Sequence, residues 1–365
     1  MSKYDVVVVG SGPAGSSAAR YLSQKGAKVL VIEKEKLPRF KLCGGALSSR
    51  IAPYLPEGFK GKVLNTINRG ILGFRGERFV EKENSQMAYI IDRAEFDEFL
   101  VESSKAEVWE ETEFLGFTEN NGKIEVQTSK GKVFADFLIG SDGFYSRVAK
   151  ILGYKKTKFY RSIEFMCEGV MDFDSVIVEL GLVERGYLWV FPKGELLNVG
   201  IASTGKENLL KIVKDYLRKQ KLVSVDSEEK PKGWFIPFAE GEKDLHLGRG
   251  RVLLVGDAGN FVDPLLGEGI YYAWLSGMKA AESIVQSPQN PLETYKNLVK
   301  PLGREFYYAG KIARLAYRFQ KVAYRMGAGT SLERYTELLK GKTTYEELYK
   351  KGLFSFIKNL ILELL

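Results

Sequence analysis

Tyr4-Asp5-Val6-Val7-Val8-Val9-Gly10-Ser11-Gly12-Pro13-Ala14-Gly15 decides how the remainder of the 365-residue chain is read. A continuous β-branched run suits a parallel strand buried on both faces. The glycines that follow predict a tight turn at Gly10, a close backbone approach to a pyrophosphate at Gly12 and, next to Ala14, close helix–strand packing at Gly15. Ser16 to Lys25 continues as a helix with Ala18, Ala19 and Leu22 on one side, its first N–H groups directed at phosphates. After Gly26, Lys28-Val29-Leu30-Val31-Ile32-Glu33 reads as a second strand. Its terminal acid, Glu33, stands where a carboxylate takes the ribose hydroxyls of an adenosine. Strand, loop, helix, strand and acid in that order predict a dinucleotide site, against the plainer reading of an ordinary glycine-rich βα turn.

Two later segments bear on which dinucleotide is bound. Ala135-Asp136-Phe137-Leu138-Ile139-Gly140-Ser141-Asp142-Gly143 and Arg251-Val252-Leu253-Leu254-Val255-Gly256-Asp257-Ala258-Gly259 each read as a buried strand ending in Gly and Asp. A carboxylate at such an edge reaches a ligand in the crevice, although a lone strand-ending Asp is more often a turn or helix cap. With the N-terminal fingerprint, this pattern resembles the flavoprotein superfamily that includes the aromatic hydroxylases. The resemblance implies FAD, with Asp142 and Asp257 at the site and Asp257 on the ribityl hydroxyls. It also places the loop Gly267-Glu268-Gly269 and the helix opening at Ile270 near the flavin N1 edge, where a helix dipole stabilises an anionic ring. Arg93, in Ile91-Asp92-Arg93-Ala94-Glu95, matches the arginine of that superfamily near the cofactor phosphates; its plain alternative is a solvated charge at a helix start.

Two further segments concern the substrate. Cys43 is followed by Gly44 and Gly45, which permit a close backbone approach, whereas Cys167 reads as a small buried hydrophobe. In an extended strand, Tyr187, Trp189 and Phe191 share one face and Leu188 and Val190 the other. Three rings in a row suit the wall of an apolar cavity, or simply core. Together the two segments resemble the geranylgeranyl reductase family of FAD-dependent prenyl reductases, which carries Cys-x-Gly-Gly and Tyr-x-Trp-x-Phe-Pro motifs. Here the first stands as Cys43-Gly44-Gly45-Ala46, with Ala46 in place of the last glycine, and the second is intact at Tyr187, Trp189, Phe191 and Pro192. Glu184 replaces a proline often found three residues before the tyrosine. The resemblance implies hydride transfer from reduced FAD to a prenyl double bond, Cys43, Gly44 and Gly45 beside the cofactor, and Cys43 in gating or proton relay. A long isoprenoid needs few polar contacts, since buried apolar surface supplies roughly 25 cal/mol per Å².

The expected fold is α/β: a Rossmann-like, aromatic-hydroxylase-like FAD domain from 1–60, 90–155 and 245–300, an antiparallel-sheet substrate domain from 61–89 and 156–244, and a helical C-terminal region, 301–365. Ile163, Phe165 and Cys167 alternate with Glu164, Met166 and Glu168. No second GxGxxG follows a strand, so the electron donor is open between NAD(P)H and a small reduced protein of the ferredoxin kind. Two cysteines and one histidine, His246, exclude a disulfide framework, a four-thiolate cluster and a multi-His metal site. Met1 runs straight into the first strand and no apolar run approaches ~18 residues, which predicts a cytoplasmic chain without a leader or a membrane span.

The net charge is +8, and nearly all of it falls between Lys296 and Thr330, where Lys296, Lys300, Arg304, Lys311, Arg314, Arg318, Lys321 and Arg325 face the single acid Glu305. Lys311, Arg314, Arg318, Lys321 and Arg325 recur at three- and four-residue steps, which places them on one face of a helix. Such a face is either simply solvated or meets an anionic partner, lipid headgroups or an acidic electron carrier. Leu353, Phe356, Ile357, Leu360, Ile361, Leu364 and Leu365 form an apolar stripe expected to pack on the body or a partner helix. Nothing indicates nucleic-acid binding. The leading expectation is a prenyl-lipid reductase at a membrane surface, saturating geranylgeranyl chains of a prenyl glycerophospholipid or of geranylgeranyl diphosphate. Its rivals are a flavin monooxygenase or halogenase of the same fold, and an electron-transfer flavoprotein passing electrons to quinone.

Overall fold

The computed structural model describes residues 3–76, 78–120, 122–221, 230–326 and 332–364. Leu365 and the side chains of Ile357, Leu360, Ile361 and Leu364 lie outside the described residues. The chain forms two compact units, one from 1–41, 94–158 and 237–307, the other from 42–93, 159–236 and 308–365. The first has an eight-stranded sheet whose centre is parallel: Val252–Leu254, Gly131–Gly140, Lys3–Val9, Val29–Ile32 and Glu107–Trp109, in that order. The β-branched run does what its composition requires. Val6 and Val8 enter one core with Val31, Ile139 and Leu253, while Val7 and Val9 enter the other with Leu30, Leu138 and Leu254. The helices Pro13–Gln24 and Ile270–Gln286 lie together in the first of these cores. A Cβ at Gly277 would stand 2.0 Å from the Ala14 carbonyl oxygen, so only glycine allows their approach, and the Ser17 hydroxyl donates across it to the Trp274 carbonyl (2.8 Å).

The second unit holds a sheet ordered Lys232–Pro237, Phe159–Cys167, Leu196–Ser203, Gly186–Lys193, Ser175–Leu180, Val63–Phe74, Arg78–Ile91 and Ala46–Ser48. From Phe159–Cys167 to Ala46–Ser48 its neighbouring pairs are antiparallel, except that Ser175–Leu180 runs parallel to Val63–Phe74. One face is covered by the helix Leu209–Gln220, which Asn208 opens by accepting from the Lys211 N–H (3.1 Å) and Lys221 ends in a left-handed conformation. Leu209, Val213, Tyr216 and Leu217 of this helix meet Phe165, Cys167, Leu188, Val190, Val199 and Ile201. Burial of each large aliphatic side chain contributes roughly 1.5–3 kcal/mol. Segment 42–60, grouped on sequence with the nucleotide domain, packs in this second unit because Ala46–Ser48 pairs with Arg78–Ile91. Residues 308–364 also belong to it, with Phe356 buried and its ring 6.0 Å from that of Phe319. No helix among the described residues is long and apolar enough to cross a membrane.

Candidate active site

In the first unit the three glycines of the loop stand in different surroundings. Gly10 has φ +99°, and a Cβ at Gly15 would lie 2.0 Å from the Gly10 oxygen, so both positions demand glycine. A Cβ at Gly12 would meet nothing nearer than Nη2 of Arg39, at 3.6 Å. The space above Gly12 is thus open to a ligand, and no side chain caps the helix that Pro13 begins. Glu33, 4 % exposed, accepts from the N–H (3.0 Å) and hydroxyl (2.6 Å) of Ser11 and from the Glu35 N–H (3.1 Å). Arg39 bridges it (3.2 Å) to Asp97 (3.2 Å). Burial would raise the Glu33 pKa, but Arg39 and these hydrogen bonds more than offset that and hold it below the usual carboxylate range. An open glycine, an uncapped helix start and an ionised strand-end acid fit an adenine dinucleotide.

The two strand-ending aspartates part company. Asp142 accepts from the Ser146 hydroxyl (2.5 Å) and the N–H groups of Arg147 (2.7 Å) and Val148 (3.2 Å), so both its oxygens serve the helix Arg147–Ile151. Burial raises its pKa. Asp257 follows Gly256 (φ +57°), and its carboxylate lies 3.9 Å from where a Gly269 Cβ would sit, at the start of the helix Ile270–Gln286. That helix start is again uncapped by a side chain. Asp263, fully buried, shapes the intervening loop by accepting from the N–H groups of Leu265, Leu266 and Glu268, each at 2.9 Å. Gly267 (φ +66°) completes the loop, and Ile270 is buried.

Sequence reading missed Lys156. Its ammonium donates to the carbonyls of Asp257 (2.5 Å) and Ala258 (2.9 Å) and to Oδ1 of Asn260 (2.6 Å), gripping the Gly-Asp turn from behind. Burial lowers its pKa to about 8 despite the opposing charges of Asp257 and Asp142. His246 stacks on Tyr154 (centroids 4.5 Å) beside Asn260, and burial and Lys156 depress its pKa to about 4 against the pull of Asp244. It is neutral near pH 7. In the sequence Lys156 is one of three lysines in Lys155-Lys156-Thr157-Lys158, and its partners are a hundred residues away.

In the second unit, strand register builds three cross-strand rows: Ser162, Ala202 and Tyr187; Glu164, Gly200 and Trp189; Met166, Asn198 and Phe191. They lie on the sheet face opposite the helix-covered core, since side chains alternate. The rings of Tyr187, Trp189 and Phe191 follow one another at 6.0 and 6.3 Å. A Cβ at Gly200 would stand 2.1 Å from Trp189, so the indole lies over this glycine, and its Nε1 donates to Asn198 Oδ1 (2.7 Å). Gly44 comes against the wall, its Cβ position 3.1 Å from Phe191 and 3.2 Å from Trp189 Nε1. Gly45 has φ +79° with its Cβ position 2.3 Å from the Ile91 oxygen. Cys43 is half-buried, and its N–H donates to Oε1 of the buried Glu164 (2.9 Å). Arg93 is 8 % exposed at the start of the helix Arg93–Glu102, which removes the solvated reading. Cys167 sits in the helix-covered core.

The basic stripe spans two helices, Pro291–Arg318 and Gln320–Met326, that meet at Phe319, whose N–H donates to the Leu315 carbonyl and whose carbonyl accepts from the Ala323 N–H, each at 2.9 Å, so the helical register carries through. The Gln320 side chain anchors this junction by accepting from the Gly181 N–H (2.5 Å) and donating to the carbonyls of Val183 (2.7 Å) and Glu184 (2.8 Å). Arg314, Arg318, Lys321 and Arg325 are exposed, whereas Lys311 turns over the rings of Tyr308 and Tyr349.

Comparison with known proteins matches residues 4–51 to the pyridine nucleotide-disulphide oxidoreductase family. A digeranylgeranylglycerophospholipid reductase of Thermoplasma volcanium is 30% identical over 339 residues, 82% of this chain and 84% of that protein. The chloroplastic geranylgeranyl diphosphate reductase of Arabidopsis thaliana is 29% identical over 79% of this chain and 67% of its own length. A geranylgeranyl bacteriochlorophyll reductase-like protein of Thermoplasma acidophilum shares the fold, with a TM-score of 0.83 and 24% identity over 100% of this chain and 99% of its own.

Proposed function

The chain belongs to the geranylgeranyl reductase family of FAD-dependent oxidoreductases, and we propose that it saturates carbon–carbon double bonds in the geranylgeranyl chains of a prenyl glycerophospholipid. The observation that carries this reading is the row of Tyr187, Trp189 and Phe191 beside Gly200, an aromatic wall with Trp189 pinned by Asn198. An alkene offers no charge, so recognition rests on burial of apolar surface against such a wall. Gly10, Gly12, Ala14 and Gly15 would hold the pyrophosphate of FAD, Glu33 the adenosine ribose, and Arg93 would serve the phosphates. Asp257 would hold the ribityl chain, with Gly267, Gly269 and Ile270 toward the ring and Asp142 shaping the strand end. Bound FAD, once reduced, would supply the hydride. In the second unit Cys43, Gly44 and Gly45 lie against the aromatic wall, whose apolar surface would exclude water from a prenyl chain.

The exposed cations Arg314, Arg318, Lys321 and Arg325 suit anionic headgroups of the membrane in which such a substrate resides. The test is turnover of a geranylgeranyl phospholipid without oxygen, using dithionite as reductant, with saturated product read by mass spectrometry. Product formation only in the presence of oxygen would replace the reductase with a monooxygenase or halogenase. Rapid quinone reduction with no saturated lipid would make the chain an electron-transfer flavoprotein.

A further inference from the structure

Glu164 is a buried acid on a strand whose neighbours on the same face include Ser162, Met166 and Gly200. It occupies the same cross-strand row as Trp189, with only Gly200 between them. Its Oε1 accepts from the Cys43 N–H at 2.9 Å. The rest of that loop is equally confined. The Gly45 N–H points at Cys43 Sγ (3.4 Å), the Gly45 carbonyl accepts from the Ile91 N–H (3.0 Å), and Gly44 has no room to move toward Phe191 or Trp189.

We propose that Glu164 is the positioning residue of the Cys43-Gly44-Gly45 loop, holding the Cys43 amide so that the thiol keeps one place beside the aromatic wall. The proposal rests on the reductase reading for its catalytic consequence, but not for its geometry. Cys43 and Glu164 are 121 positions apart, so this hydrogen bond ties the loop to the sheet that bears the wall. An amide without that acceptor would be left unpaired at the loop's tightest point, and the loop would relax. The role asks for reach and a lone pair. It asks for neither a negative charge nor a proton, since the oxygen facing an N–H is an acceptor.

Two conservative variants of the FAD-loaded protein separate these properties. Glu164→Asp keeps charge and proton but falls a methylene short; Glu164→Gln gives up both and keeps an acceptor of the same length. One readout is the rate at which iodoacetamide alkylates Cys43, followed by peptide mass spectrometry with buried Cys167 as the internal reference. The other is the division of the effect between kcat and KM for prenyl-lipid reduction. Loss of the hydrogen bond to the Cys43 N–H predicts about tenfold faster alkylation and about tenfold lower kcat for Glu164→Asp, with KM changed less than about threefold. Glu164→Gln stays within about threefold of the parent on both measures. A Gln variant as impaired as the Asp variant would mean that charge or proton matters, and would overturn the proposal. So would an Asp variant indistinguishable from the parent. If the parent protein itself saturates no prenyl lipid, the proposed function fails while the alkylation rates still decide the role of Glu164.

Discussion

The ammonium of Lys156 stands 2.6 Å from Oδ1 of Asn260 and 2.5 Å from the main-chain oxygen of Asp257. One half-buried cation thus holds both ends of the turn that presents the Asp257 carboxylate. Lys156→Met leaves three oxygens without that donor. FAD affinity is expected to fall by about tenfold or more, which is the scale of one lost charge-assisted hydrogen bond. Fluorescence titration of the FAD-free protein with FAD reads it; unchanged affinity would show that the turn is rigid without Lys156.

Acidification has a predictable effect through the chain's one histidine. Burial and the neighbouring Lys156 lower the His246 pKa from 6.5 to about 4, with Asp244 opposing. Between those values the unfolded chain binds a proton that the folded one excludes, so this contribution to stability is present above about pH 6.5 and is lost as pH falls toward 4. After discounting for partial exposure it is about 1–2 kcal/mol. His246→Phe, which keeps a ring against Tyr154, is expected to flatten the Tm profile between pH 4 and 7. Parallel profiles for the two proteins would remove His246 as the cause.

Gly12→Ala separates folding from cofactor binding. The added Cβ meets no atom of the protein within 3.6 Å, so the FAD-free protein is expected to melt within about 1 °C of the parent, in keeping with a surface substitution. The methyl group fills the space left for the pyrophosphate, and FAD content after reconstitution is expected to drop by about tenfold. A lowered melting temperature in the FAD-free protein would contradict the open geometry at this position.

Gly200→Ala acts on the aromatic wall. Its Cβ would lie 2.1 Å from the Trp189 ring, which must then leave its place over the strand and its hydrogen bond to Asn198. The expectation is about a tenfold rise in KM for a prenyl lipid, a loss of roughly 1.4 kcal/mol of apolar contact, with an altered near-ultraviolet circular dichroism signal. An unchanged KM would place the substrate elsewhere.

Reversal of Arg318 and Lys321 to Glu tests the basic surface. Flotation with vesicles containing anionic lipid is expected to weaken by about 1 kcal/mol per reversed site or more at low salt. Binding equal to the parent's would leave these side chains merely solvated.

What could be read from the sequence was local in the chain. Val6 to Val9 must be a doubly buried parallel strand because both faces of its alternation are apolar, and the loop after it has glycine at the two positions where a Cβ would strike Gly10 or Ser141. The row Tyr187, Trp189, Phe191 follows from the period of a strand. Asp142 shows the limit: a strand ending in Gly and Asp leads to a helix cap at Asp142 and to a half-buried carboxylate beside Gly269 at Asp257, and only the following residues Ser146 to Val148 decide which. Lys156, Glu164 and Gly200 owe their roles to partners set by register or by distant turns, which no window of sequence contains. The anchorage of the basic stripe at Gln320 was hidden for the same reason, since its partners are residues 181–184.

The chain leaves and re-enters its first unit repeatedly, at Lys41, Arg93, Lys158, Ile236 and Tyr307. The strand Gly131–Gly140, paired on one side with Lys3–Val9, gains its other parallel neighbour, Val252–Leu254, only some 110 residues further along the chain. At ~5–20 residues per second that is a wait of roughly five to twenty seconds during synthesis with one apolar edge of Gly131–Gly140 unpaired at residues 138–140. A chaperone that shields that edge should raise the yield of FAD-competent protein.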